Sequence, residues 1–229
     1  MHIKKLSNFL TESRNLHLEH VEDSVFENGR EIREALRFLA SLRNMLTGNE
    51  TSGISLTVKW DGAPAIFCGT NPENGKFFVG TKSVFNKDPK INYTAADIRK
   101  NHGGGLADKL EVALKYLKKL NIKTVLQGDM MFTSDDITKK KIDGGSYLTF
   151  VPNTITYAVA ENSMLGRKIA KAKIGIIFHT EYKGDTFETM KASFAPSLKL
   201  AKSSDVWYDD ATFKDHSGTV SMSGGESSK

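Results

Sequence analysis

The chain is predicted to be an α+β protein built on antiparallel sheets, and three features of its 229 residues carry that prediction. Apolar residues in the first fifty positions recur at three- and four-residue spacing, the period of one helix face. From residue 54 the texture changes to short β-rich runs broken by turn chemistry. The order along the chain is helices, a strand meander, helices and then more strands, whereas a parallel doubly wound sheet alternates the two.

Taken in order, "EIREALRFLASLRNML" places Ile32, Leu36, Leu39, Leu42 and Leu46 on one stripe, giving a helical N-terminal element over 1–50. After a turn at "TGNETSG", the runs "ISLTVKW", "PAIFCGT" and "KFFVGTK" read as three antiparallel strands. Asp61-Gly62 and "NPENGK" between them have the chemistry of hairpin turns. Thr94 caps a short helix in "NYTAADIRKN", and "GLADKLEVALKYLKKL" is amphipathic, with Leu106, Leu110, Leu114 and Leu117 on its apolar face. "KTVLQGDMMF", "YLTFVP", "TITYAV" and "KIGIIFHTEY" read as strands, with "ENSMLGRKIAKA" a basic-faced helix before the last. The segment "DDITKKKIDGG" reads as a solvated loop whose Lys139, Lys140 and Lys141 suit contact with a polynucleotide backbone without sequence preference. The Ser/Gly-rich end reads as flexible. Three segments follow: a helical element over 1–50, a core over 51–213 and a tail over 214–229.

The net charge of +5 favours an anionic partner such as a nucleotide or nucleic acid, although 27 acidic residues dilute the basic ones. No apolar run approaches the roughly 18 residues that span a bilayer, and the start lacks a signal-peptide pattern. A cytoplasmic protein without membrane contact is the expectation. The single Cys68 excludes an internal disulfide, fits a reducing compartment and reads as a buried small hydrophobe.

The chemistry concentrates in "LTVKWDGAPAIF", where Lys59 interrupts what reads as a buried strand. A lysine is a nucleophile once neighbouring cations or desolvation favour its neutral amine. On a strand, Lys59 and Asp61 share one face and Trp60 takes the other. Asp61 then orients the ammonium, takes its proton or holds a metal, while Gly62 leaves room for a phosphate. The bland alternative is a surface ion pair worth roughly 0 to 1 kcal/mol.

The "KWDG" segment resembles the K-x-D-G signature of the covalent nucleotidyltransferases, the superfamily of ATP-dependent DNA ligases, RNA ligases and mRNA capping enzymes. "FFVGTKS", "VLQGDMMF" and "KIGIIFHTEY" are similar, in the same order, to three of that family's later strands. The resemblance implies an antiparallel nucleotidyltransferase core, of the ligase adenylation type, in which Lys59 attacks ATP or GTP with Mg²⁺ assisting. It implies that Lys82 contacts phosphate, that Asp129 holds ribose or metal and that Phe178 stacks on the purine. DNA or RNA ends are the acceptors it implies. Two features of the family pattern are missing: the arginine after K-x-D-G, where Ala63-Pro64-Ala65 stands, and the Glu-Gly and Lys-x-Lys segments beyond Phe178. An incomplete core is therefore expected, and a ligase-fold module that binds nucleotide or nucleic acid without turnover is the alternative. The wider pattern over 15–185 also resembles uncharacterised ligase-like proteins of large tailed phages, which implies a host-cytoplasmic location and leaves a structural or interaction role open.

Other candidates read more plainly. Phe178 is as well explained by packing, Asp129 by a strand end or turn, and Lys82 by a solvated edge. His17 and His20 in "HLEH" lack the three or four ligands of a zinc site and read as a surface helix. His179 reads as a partly buried, hydrogen-bonded histidine. "NHGGGLADK" exposes backbone N–H groups before a helix but lacks the P-loop spacing, so it reads as a flexible loop.

Overall fold

The computed structural model describes residues 29–46, 57–194, 196 and 198–212. The chain is mixed α/β with mainly antiparallel sheets, and it divides into two units, Met1–Ser55 with Lys214–Lys229, and Leu56–Phe213. In the first unit the described element is the helix α1 (Gly29–Leu46), as the apolar period predicts. Leu36 and Leu39 of its stripe are exposed at 60% and 46%. His17, His20 and the tail over 214–229 lie outside the described residues.

In the second unit the chain order is β1 (Ala65–Thr70), β2 (Phe77–Gly80), α2 (Ala95–Asn101), α3 (Gly104–Leu117), β3 (Val125–Thr133), β4 (Thr138–Ile142) and β5 (Gly145–Phe150). It continues with β6 (Tyr157–Ala160), α4 (Met164–Lys171), β7 (Ile174–Lys183), β8 (Lys191–Phe194) and β9 (Val206–Asp210). The larger sheet runs β2-β1-β3-β7-β8, with β9 also on β7; the smaller runs β4-β5-β6. All pairs are antiparallel except β7 with β9, which is parallel.

Alternation along the strands divides the core in two. On one face of the large sheet Ile66, Cys68, Leu126, Met130, Ile176 and Phe178 pack under Ile98, Ala107, Leu110, Ala113 and Leu117 of α2 and α3. Thr94 starts α2 with a capping box, its hydroxyl accepting from the Asp97 N–H while the Asp97 carboxylate accepts from the Thr94 N–H. On the other face Met131, Phe132 and Ile177 meet Leu148 and Phe150 of the small sheet and Ile169 of α4. The two sheets are thus joined at one end by a second apolar cluster.

Three expectations are corrected. Residues 58–60 form no strand: Thr57 makes an isolated bridge to Thr212, and the Val58 N–H donates to the Ala211 carbonyl at 2.7 Å. Asp61-Gly62 is therefore no hairpin turn, and the second neighbour of β1 is β3. The charged segment after Asp136 is not a loop, because Asp143 and Gly144 both adopt positive φ and close β4 onto β5 in a two-residue hairpin. Third, the parallel β7–β9 pair interrupts an otherwise antiparallel architecture.

Candidate functional site

Residues 57–64 run between the sheets and are held at almost every position. Trp60 is half-buried and stacks on Tyr157 of β6, with ring centroids 5.6 Å apart. The Asp61 N–H donates to the Tyr157 hydroxyl at 3.0 Å. Asp61 Oδ2 accepts from the Thr154 N–H and hydroxyl, both at 2.7 Å, and from the Ile155 N–H at 2.8 Å. Its Oδ1 accepts from the Asn153 amide at 2.8 Å. Led by the Thr154 hydroxyl and the Asn153 amide, these donors hold the Asp61 carboxyl well below the usual carboxylate range. Asp61 thereby fastens the turn to the β5–β6 connection.

Gly62 lies against β3. A Cβ built there would stand 2.5 Å from the Asp129 Cβ, a separation that real side chains do not tolerate. Next to it the Ala63 N–H donates to the Met130 carbonyl at 2.9 Å, and the Met130 N–H to the Pro64 carbonyl at 3.1 Å. Lys109 of α3 reaches the Ala63 carbonyl at 3.4 Å. Gly62 is therefore demanded by its close approach to Asp129.

Lys59 is the exception in this tethered run. It is exposed and has no hydrogen-bond or ion-pair partner among the described residues. It lies outside any strand, so the shared strand face proposed for Lys59 and Asp61 does not exist. What the turn does instead is present one ammonium from a held backbone.

Asp129 sits mid-strand on β3, opposite Ala65 of β1 and Ile177 of β7, and so neither ends a strand nor caps a turn. It belongs to the face that carries the second cluster, because directly opposed residues share a face and Ile177 packs there. A bulge between Gln127 and Gly128 leaves His179 as the extra residue of β7. His179 Nε2 lies 3.8 Å from Asp129 Oδ2, and its Nδ1 is 2.7 Å from the Thr180 hydroxyl. Both side chains are about one quarter exposed.

Phe178 requires a correction. It is fully buried on the helix-covered face, beside Tyr208 and opposite the face of Asp129, so its ring is a core element and not a stacking platform. Lys82 is exposed and begins a 3-10 turn after β2, where Thr81 rather than a further strand residue directs the chain. Gly80 pairs with Phe67, two residues from Ala65, so this turn leaves the sheet at the Ala65 end. Asp61, Gly62 and Asp129 are therefore gathered around one turn, Lys82 stands at the same sheet end, and Phe178 is excluded.

Sequence reasoning missed the donors at Asn153, Thr154 and Ile155, which lie more than ninety positions from Asp61. Only the polar "PNT" between two strands hinted at a structured connection. Among the described residues no group of three or more His, Cys, Asp or Glu is assembled that would hold a metal ion. Residues 15–229 match a family of unknown function (DUF6267), and the chain belongs to that family. Neither a curated protein nor a solved structure matches it.

Proposed function

We propose that this member of the DUF6267 family is a covalent nucleotidyltransferase of the polynucleotide-ligase type, in which Lys59 takes up the nucleotidyl group. The supporting observation is the turn over 57–64, tethered to β3, to the β5–β6 connection and to Ala211, which carries a Lys59 side chain that has no partner among the described residues and brings Gly62 against Asp129. A nucleophile on a held backbone has little conformational freedom to lose on attack. The order of "KWDG", "FFVGTKS" and "VLQGDMMF" along the chain supports the same reading, with the two sheets forming the ligase-type core.

In the proposed step the neutral Lys59 amine attacks the α-phosphorus of ATP or GTP. The N–P bond forms, the bond from phosphorus to the bridging oxygen of the β-phosphate breaks, pyrophosphate departs and the amine proton passes to solvent. Asp61 acts as the fastener of the turn rather than as a base, because its oxygens already accept four hydrogen bonds. Asp129 offers one carboxylate to ribose or to Mg²⁺, and Lys82 offers a cation to phosphate. Magnesium is commonly held by one or two carboxylates together with substrate phosphates, so a single Asp129 fits it; when bound it neutralises phosphate charge. A polynucleotide 5′-phosphate end is the proposed acceptor.

The commitment of Phe178 to the core and of Asp61 to a loop favours one second reading, a ligase-fold module that binds nucleotide or nucleic acid without turnover. Labelled ATP separates the two. Transfer predicts that label from the α-phosphate stays on the denatured chain and label from the γ-phosphate does not, with Lys59→Arg abolishing retention. Reversible binding of both labels, with none retained on the denatured chain, supports the second reading.

A further inference from the structure

The basic residues are not spread evenly. Residues 138–173 hold seven Lys or Arg against two Asp or Glu, a net charge of +5 that equals that of the whole chain, so everything outside this segment is neutral overall. All seven cations are exposed. Three of them, Lys139, Lys140 and Lys141, lie on β4, the open edge of the small sheet, where every residue is solvent-facing. Three more, Arg167, Lys168 and Lys171, lie on α4, whose Gly166 and Ile169 point inward and so turn these cations outward.

The two groups are joined. Lys139 pairs with Glu161, the residue that leads into the Ser163 cap of α4, and Arg167 donates back to the Asn162 carbonyl at 2.7 Å. The side chains of Lys140, Lys141, Lys168 and Lys171 have no hydrogen-bond or ion-pair partner among the described residues. Alternation places Lys139 and Lys141 on the face of Leu148, which packs with Ile169 of α4, and Lys140 on the other face. Lys141, Lys168 and Lys171 thus form a group of unpaired cations that is costly in self-repulsion unless an anion relieves it. At about 3.4 Å per residue, β4 is roughly 17 Å long, which spans about five phosphates of a duplex strand.

We infer that β4 and α4 form a binding surface for the phosphate backbone of a polynucleotide, read through charge without base specificity. An extended track over a strand and a helix suits a linear polyanion. An anionic membrane is a poorer fit, since α4 has eight residues and Thr138 and Ser146 line the neighbouring hairpin. The surface adjoins the proposed centre, because the β5–β6 connection of the same small sheet holds Asp61. It does not depend on Lys59 chemistry, and its test needs no nucleotide.

The test is fluorescence anisotropy of a labelled single strand and its duplex with the full chain, over a salt series. The variants are Lys141→Gln/Lys168→Gln/Lys171→Gln and a control of equal charge, Lys118→Gln/Lys123→Gln/Lys199→Gln. The surface variant is expected to bind at least about tenfold more weakly at fixed salt, with a salt slope shallower by about two. The control is expected to stay within about twofold, and thermal melting verifies that both remain folded. Equal weakening in both variants, no binding by the native chain, or capture of phosphatidylserine vesicles without oligonucleotide binding would each overturn the inference.

Discussion

Asp61 illustrates how one carboxylate decides local architecture. Its four accepted hydrogen bonds cross from the turn to the other sheet, and they favour the ionised form. Because its pKa is lowered on folding, the contribution is fully present above the ordinary carboxylate value of about 3.9 and is lost as pH falls below it toward the lower folded value. Asp61→Asn puts an amide donor where only donors arrive, so it is expected to lower the melting temperature at pH 7. The gap to the native chain should narrow as the buffer is taken below pH 4; an unchanged gap would show that the carboxylate charge is irrelevant. Phe178→Ala is expected to cost about 3 to 5 kcal/mol in denaturant unfolding, while Phe178→Leu leaves nucleotide binding by the folded chain unaltered. The sequence marked Lys59, Asp61 and Asp129 as a group, since acid and base types at motif spacing are visible in one dimension. It could not distinguish the two faces of β7, because "IGIIF" is apolar throughout and hides which ring faces a ligand.

Among the elements, β3 organises the site by accepting the turn at Gly62 and carrying Asp129. Gly62→Ala pushes a methyl against the Asp129 Cβ, and overpacking of this kind typically costs about 1 to 3 kcal/mol. Reduced stability with loss of nucleotide labelling is expected, and full activity at native stability would mean that the turn moves freely. Cys68 sits at 0% exposure on β1, where burial pushes its thiol pKa up, so thiol reagents should label the chain only on unfolding. Helices α2, α3 and α4 and strands β1, β2, β3 and β5 to β7 were legible from period and turn residues. Strand β4 was not, because three lysines mask its alternation while suiting an edge. Strand β9 went unread because "VWYDD" is short and ends in two aspartates, and its place beside β7 is a long-range choice.

At the scale of the whole molecule, two sheets share one apolar cluster, and the KWDG turn is fastened to both. The net charge predicted an anionic partner, yet reading its concentration over 138–173 as a surface required knowing that β4 and α4 both face solvent. Charge and chemistry then make separate predictions: loss of the basic strip should weaken polynucleotide binding and leave nucleotide labelling of Lys59 intact. The most direct measurement is the intact mass of the chain after incubation with ATP and Mg²⁺, with GTP in parallel and Lys59→Ala as comparison. Nucleotidyl transfer predicts a gain of one AMP or GMP residue in the native chain and none in Lys59→Ala. A folded native chain that gains no mass with either nucleotide would contradict it.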